Sequence, residues 1–311
     1  MKRMLTLMIL VITLLSCLSV EAAPSLLPFN PQWTATQVRN LIAAGADVNA
    51  RTGKGSTPVV KPGMLPKAAR ELLAKEGGLT PLMLAAALST DPEVIQVLII
   101  AGAKVNAISE HGSSPLIYLA LMNESPKAPE MIKALVEADA EVNWAEEVNK
   151  ALALAVLSNT NAEVVKALIA AGGKVNVKVE EGVTMLMCAA VINTNPDVVK
   201  VLVSAGANVN ERDVYGRSAL MRAAQLNDNP EFIKVLIAGD AEVNAKDTAG
   251  LTALMYAAIT TSNPEVIKAL LSAGADGKLK SNEGKTAFHY AKENPDIKDT
   301  EAYWLLSDAR F

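Results

Sequence analysis

The clearest pattern of apolar and polar positions runs from Leu251 to Asp276 and reads LTALMYAAITTSNPEVIKALLSAGAD. Apolar residues recur at helical spacing after Thr252, which predicts a short helix with that threonine as its N-cap. After a break, Asn263 and Pro264 predict the start of a second helix, because Asn caps well and Pro is tolerated in the first turn. Gly274 predicts its end, since Gly adopts the left-handed conformation at little cost. Two such short helices need neighbours to bury their apolar stripes.

The same pattern returns along most of the chain, and a Val-Asn pair follows the second helix of each copy. The pairs are Val48-Asn49, Val105-Asn106, Val142-Asn143, Val175-Asn176, Val209-Asn210 and Val243-Asn244. From the second pair onward they are 37, 33, 34 and 34 residues apart, whereas the first stands 57 residues before the second. A fixed period of this size is typical of a solenoid of stacked repeats.

These copies resemble ankyrin repeats. The matching residues are the Gly-Ala-x-Val-Asn ends and the starts Thr80-Pro81-Leu82, Ser114-Pro115-Leu116, Thr184-Met185-Leu186, Ser218-Ala219-Leu220, Thr252-Ala253-Leu254 and Thr286-Ala287-Phe288. The resemblance covers nearly all of the chain after residue 22. It implies an all-α ankyrin-repeat solenoid of about seven helix pairs, with short hairpin-like fingers and an N-terminal half-repeat as a cap. The expected pairs cover roughly residues 80–101, 114–138, 150–171, 184–205, 218–238, 252–273 and 286–307.

Two departures from the ankyrin pattern predict local differences. The family's histidine at the fourth motif position is kept at His289, whereas Ile117 replaces it in one copy and methionine in four, at Met83, Met187, Met221 and Met255. This puts the family's histidine hydrogen bonds in doubt. The loop between the helices reads Asp-Pro or Asn-Pro, as at Asn195-Pro196, and one extra loop residue would explain a period of 34.

The first 22 residues have the pattern of a secretory signal peptide. Lys2 and Arg3 precede an apolar run that is too short to span a bilayer comfortably, and Val20-Glu21-Ala22 offers a cleavage site before residue 23. We therefore expect an exported protein, periplasmic or secreted. A second interpretation stays open, because Leu14-Leu15-Ser16-Cys17 resembles the lipobox of bacterial lipoproteins. Lipidation of Cys17 would tether the protein to a membrane.

Residues 23–311 are predicted to form one ankyrin-repeat domain. It comprises a half repeat at 34–50, an insertion at 52–78 and stacked repeats at 79–311. The insertion is either a neutral loop with a short amphipathic helix or a binding element. The finger Trp144–Asn149 lacks Gly, so its turn should differ from the others. At the other end, the large residues from Tyr303 to Leu306 are expected to close the stack against water.

Charge and chemistry argue against several function classes. The formal net charge is −4, without a Lys/Arg block, which argues against nucleic acid binding. His111 and His289 have no Cys or His at metal-ligand spacing, and no nucleophile with a base can be assembled. After signal cleavage Cys188 would be the lone cysteine, and a small buried hydrophobe is the favoured interpretation. We expect no enzyme, no metal and no small-molecule cofactor.

The sequence therefore predicts a non-catalytic scaffold for protein–protein interaction, whose partner is another protein of unknown identity. The ankyrin resemblance implies binding by the finger tips and the concave face of the first helices. The candidate residues are the apolar Leu121, Leu157, Val191 and Ile259, the acidic tips Glu146, Glu147, Glu180 and Glu181, and the hot-spot types Tyr215, Arg217 and Arg222. In an alternative interpretation the apolar residues of this set pack under the longer loops. Alternative functions are a secreted effector acting on a host protein and an envelope-tethered lipoprotein scaffold.

Overall fold

The computed structural model of the protein describes residues 25–27, 29–53, 77–138 and 144–309. The predicted signal peptide with Cys17, and most of the 52–78 insertion, lie outside the described residues. The helices are α1 Ala35–Ala43, α2 Pro81–Leu88, α3 Pro92–Ile100, α4 Pro115–Met122, α5 Ala128–Ala138, α6 Trp144–Ser158, α7 Ala162–Ala170, α8 Met185–Ile192, α9 Pro196–Ser204, α10 Ala219–Leu226, α11 Pro230–Ala238, α12 Ala253–Thr260, α13 Pro264–Ser272, α14 Ala287–Ala291 and α15 Glu301–Ala309. Within the described ranges, β-type pairing is limited to an isolated antiparallel bridge between Lys178 and Thr184.

The helices form two parallel rows. Each even-numbered helix, the first of its pair, packs against the next even-numbered helix from α2 to α14. The odd-numbered helices pack in the same way from α1 to α15, and each pair is held together by contacts of its own. Because every unit contacts mainly its neighbours, the architecture is a solenoid. The all-α solenoid prediction is confirmed.

The two rows bury different fractions of their surface. The first helices lie between neighbours on several sides, and α2 buries all eight of its residues, from Pro81 to Leu88. A helix that is apolar all round is buried all round. The second helices bury one stripe, as α9 does with Val198, Val199 and Leu202. Their opposite side, here called the second-helix face, is exposed and charged.

In two of the copies, at Met83 and Met187, methionine sulfur takes over the acceptor role of the missing histidine. Thr184 Oγ1 accepts a hydrogen bond from the backbone N–H of Met187 at 3.2 Å, and the N–H of Thr184 donates to Met187 Sδ at 3.4 Å. In the last pair, His289 Nδ1 occupies the same place 3.3 Å from the N–H of Thr286. The reciprocal cap is therefore kept, although a thioether is a weaker acceptor than an imidazole nitrogen.

Asparagines at the ends of five first helices join their repeat to the one before it. Asn193 Nδ2 donates to the carbonyls of Val156 at 2.8 Å and Asn159 at 3.2 Å, while its Oδ1 accepts from the N–H of Asn195 at 2.8 Å. Equivalent donor bonds to the preceding repeat are made by Asn123, Asn159, Asn227 and Asn294. These side chains satisfy carbonyls at the ends of the first helices, which buried backbone requires. They also hold the longer Asn-x-Asn-Pro loop in place.

A second row of asparagines explains the recurring Val-Asn pairs. Asn176 Nδ2 donates to the carbonyl of Gly206 at 2.9 Å, and its Oδ1 accepts from the N–H of Asn208 at 2.9 Å. Asn49 makes the same two bonds with Gly102 and Lys104, at 3.0 and 2.9 Å. The half repeat that contains α1 thus uses the same joint as a full repeat, although 53 positions separate Asn49 from Gly102.

Two predictions about the ends of elements need correction. The segment Trp144–Asn149 is not a finger, because α6 begins at Trp144 and runs for 15 residues. In α15, Tyr303 and Leu306 are buried as predicted, but Trp304 is more than half exposed and Leu305 is also exposed. Residues 303 and 306 share one helical face, and the two between them point away from the stack.

Candidate functional site

The fingers stack through their tips beside the N-terminal ends of the first helices. The N–H of Val214 donates to the carbonyl of Glu181 at 2.9 Å, and the N–H of Thr248 donates to the carbonyl of Tyr215 at 3.0 Å. The next tip continues the series, with the N–H of Asn282 3.0 Å from the carbonyl of Ala249. The last four tips, from Glu181 to Asn282, therefore form a continuous edge beside the first helices.

The four acidic residues predicted at finger tips fall into two groups. Glu180 and Glu181 lie at a tip, both are exposed, and the structure gives neither an ion pair with any residue that it describes. Glu146 and Glu147 instead lie in the first turn of α6, so their placement at a tip is wrong. The segment before them has no Gly for the turn, and acidic side chains suit a helix N-terminus.

Both carboxylates of α6 are used within the protein. Glu146 pairs with Lys150 at 2.8 Å, and the hydrogen bond from Lys150 lowers the pKa of Glu146. Glu147 accepts a hydrogen bond from the hydroxyl of Ser114. Ser114 also caps α4, because its Oγ accepts from the N–H of Ile117 at 3.2 Å, so Glu147 holds the capping hydroxyl in position. These two residues serve the fold, and of the four acidic candidates Glu180 and Glu181 are the ones that lie at a finger tip.

The predicted apolar residues lie together on the first helices but differ in exposure. Leu121, Leu157 and Val191 are half-buried, while Ile259 is 38% exposed. The most exposed side chains of the row are Ile192 at 57% and Leu226 at 58%, each at the C-terminal end of its helix. We define Ile192, Leu226 and Ile259 as the apolar row. The sequence pattern did not reveal which of two adjacent residues, such as Val191 and Ile192, faces water.

Asp213 organises the finger that carries the three hot-spot candidates. Its buried carboxylate accepts from the N–H groups of Tyr215 at 2.9 Å and Arg217 at 2.8 Å, which closes the turn. It also accepts from Arg217 Nε at 2.9 Å and Arg222 Nη2 at 2.5 Å. Burial by itself raises the pKa of Asp213, but the backbone N–H of Arg217 and the two guanidinium groups outweigh it and lower that pKa.

Arg217 and Arg222 were predicted to contact a partner, but in the structure both are bonded to Asp213. Arg217 bonds within the finger and Arg222 attaches the finger to α10, so the primary contacts of both are internal. The Arg217 guanidinium also lies 4.6 Å above the centre of the Tyr215 ring, a cation–π contact. Tyr215 remains 47% exposed at the tip. It is therefore the best placed of the three to contact a partner.

In the two following fingers, a finger residue also bonds the residue nine positions later on the first helix, but the partner is a tyrosine and not an arginine. Asp247 accepts from Tyr256 Oη at 2.6 Å, and Ser281 Oγ lies 2.9 Å from Tyr290 Oη. Burial and the bond to Asp247 raise the pKa of Tyr256, which therefore acts as a donor. In the finger before Asp213, the two positions are Val179 and Cys188. Since Val179 has no polar side chain, this finger lacks the link.

Cys188 is the cysteine that the described residues include, and its surroundings disfavour the thiolate. Cys188 is half-buried, and burial raises its pKa despite the opposing effect of Arg222, so a thiol rather than a thiolate is favoured. Among the described residues, no group of His, Cys, Asp and Glu side chains is arranged to hold a metal ion. Over the same residues, every helix is too short or too polar to cross a membrane.

The geometry defines a helix-pair solenoid with a stacked edge of finger tips. A family model described as ankyrin repeats (3 copies) matches residues 82–179, 152–247 and 220–309, which together exceed half of the chain. The chain belongs to the ankyrin-repeat family. A comparison with curated proteins gave no match. Ankyrin repeats generally bind other proteins, which supports a protein–protein interaction scaffold.

Proposed function

We propose that the protein is an exported, non-catalytic scaffold that binds a partner protein on its finger tips and on the apolar row. The observation that carries this proposal is the exposure of Ile192, Leu226 and Ile259 on three successive first helices. The same helices bury nearly all their other apolar residues, and contiguous exposed apolar surface usually marks an interaction site. Tyr215 adds an aromatic side chain of the kind enriched at hot spots.

Substitution of the apolar row tests the binding site. Cross-linking in the native cell envelope and in the medium should capture a partner with the wild-type chain. Ile192→Asp with Leu226→Asp should abolish capture while helical circular dichroism and the melting temperature stay near wild type, because both side chains are largely exposed. Lys200→Glu with Lys234→Glu, on the second-helix face, is the matched control. Loss of capture by the control pair alone would place the partner on the opposite face.

Export is the second part of the proposal and rests on residues 1–22. Mass spectrometry of the mature N-terminus should find cleavage before residue 23. A mature chain that begins with lipidated Cys17 would instead support the tethered scaffold. Release into the medium would support a secreted effector that acts on a host protein. Intact Met1 on soluble cytoplasmic protein would refute export altogether.

A further inference from the structure

The finger Val177–Thr184 exposes more apolar surface at its tip than a solvated turn needs. Val179 is 59% exposed, and on the adjoining tip Val214 is 63% exposed. The two tips are in direct contact, since the N–H of Val214 donates to the carbonyl of Glu181 and Tyr215 Oη lies 3.4 Å from Glu181 Oε1. Glu181, Val214 and Tyr215 therefore belong to one patch, and Val179 lies two residues before Glu181 in the same finger.

The charges around this patch do not cancel. Lys178 pairs with Glu211 at 2.8 Å, while Arg217 and Arg222 share the single carboxylate of Asp213. These three cations and the four carboxylates around the patch, Glu180 and Glu181 included, leave one net negative charge. Glu180 and Glu181 have no cation among the described residues. On the second-helix face, by contrast, carboxylates at helix starts have a lysine three positions later, as in the pairs Lys166–Glu163, Lys234–Glu231 and Lys268–Glu265. Uncompensated negative charge is thus placed beside exposed apolar side chains.

We propose that this patch, made of Val179, Glu180, Glu181, Val214 and Tyr215, binds a cationic segment of the partner protein in which Lys or Arg lies next to aliphatic residues. This inference rests on the proposed scaffold function and names the partner chemistry. Aliphatic side chains would cover Val179 and Val214. Lys or Arg would pair with Glu180 and Glu181, which would speed association and select the partner.

Three synthetic peptides test the chemistry directly on the mature protein. The first alternates Lys with Val, the second replaces every Lys with Glu, and the third keeps Lys but replaces every Val with Ser. Fluorescence anisotropy at low ionic strength should show that the Lys-Val peptide binds about tenfold more tightly than either of the others, and that salt weakens its binding. The inference is overturned if the Glu-Val peptide binds as well, or if the Lys-Val peptide does not bind at about millimolar concentration.

Matched variants show whether binding occurs at this patch. Glu180→Gln with Glu181→Gln should weaken the Lys-Val peptide about tenfold at low salt, since both changes keep the shape and remove the charge. Glu163→Gln with Glu231→Gln, on the second-helix face, removes the same charge and should change little. Equal losses from the two pairs would mean attraction to a generally acidic protein and would refute the site.

The two pairs of variants, tested on the natural partner, separate binding at this patch from the scaffold function. A natural partner that is lost with Ile192→Asp and Leu226→Asp, but is indifferent to Glu180→Gln and Glu181→Gln, would keep the scaffold and exclude a cationic segment at this patch. A partner that is sensitive to both pairs supports both proposals.

Discussion

Arg222 Nη2 lies 2.5 Å from Asp213 Oδ2, across nine residues of sequence and from the body of α10 to a finger. The same carboxylate also closes its own turn through two backbone N–H groups. One buried charge therefore fixes the finger shape and attaches that finger to the helix row. Removal of the charge should affect stability in a pH-dependent way.

Asp213→Asn should lower the free energy of unfolding at pH 7 by about 1.5–3 kcal/mol, the usual value of hydrogen bonds to a charged group. The folded-state pKa of Asp213 is lowered, so its contribution is present above the ordinary aspartate pKa of about 3.9 and disappears as the pH falls through the lower folded value. Urea unfolding at pH 7 and between about pH 5 and 2 measures both effects. Asp276→Asn, at an exposed turn, is the control. If the free energy of unfolding of wild type and of Asp213→Asn fell equally with decreasing pH, the ionised carboxylate of Asp213 would not stabilise the fold.

Asn193→Ala tests the asparagine joint between repeats. The change leaves the buried carbonyls of Val156 and Asn159 without their donor, which should cost about 1–3 kcal/mol of stability. Thr194→Ala, an exposed neighbour in the same loop, should stay within about 0.5 kcal/mol of wild type. Chemical denaturation of both variants is the measurement. A loss no larger than that of Thr194→Ala would mean that water satisfies the carbonyls equally well.

Leu220→Ala and Leu226→Ala separate the buried side of a first helix from its exposed side. Leu220 is 1% exposed, so its truncation should cost about 2–5 kcal/mol. Leu226 lies in the apolar row, and its truncation should cost under about 1 kcal/mol because little packing is lost. Equal losses in urea unfolding would show that the row belongs to the core and does not bind.

Glu181→Gly tests whether the backbone of the finger Val177–Thr184 is strained at Glu181. Glu181 has a φ of 58°, in the left-handed region that costs residues with a side chain about 1–2 kcal/mol. The substitution should stabilise the protein by about 0.5–1 kcal/mol after the greater entropy of Gly in the unfolded chain is included. Glu180→Gly, where φ is not positive, should destabilise slightly. The opposite order of melting temperatures would exclude strain at Glu181.

Much of the fold could be predicted from the sequence because the signals that begin and end each helix are local and repeated. N-cap threonines, Asn-Pro starts and Gly ends each act within one turn, so their spacing reveals the period without any long-range information. The pattern misled where these signals were missing, as at Trp144, where a helix replaces a finger. It also did not resolve the exposure of adjacent side chains such as Val191 and Ile192. They lie about 100° apart on a helix, and only the neighbouring repeats decide which one faces water.

The hydrogen bonds of Asn49 to Gly102 and Lys104 mean that this joint does not depend on a short covalent connection. Contacts between α1 and α3 hold the half repeat in register, whatever the length of chain between them. We therefore expect chain length at this point to vary freely in evolution or in engineering, and we expect a foreign sequence placed there to leave the stack of helix pairs unchanged.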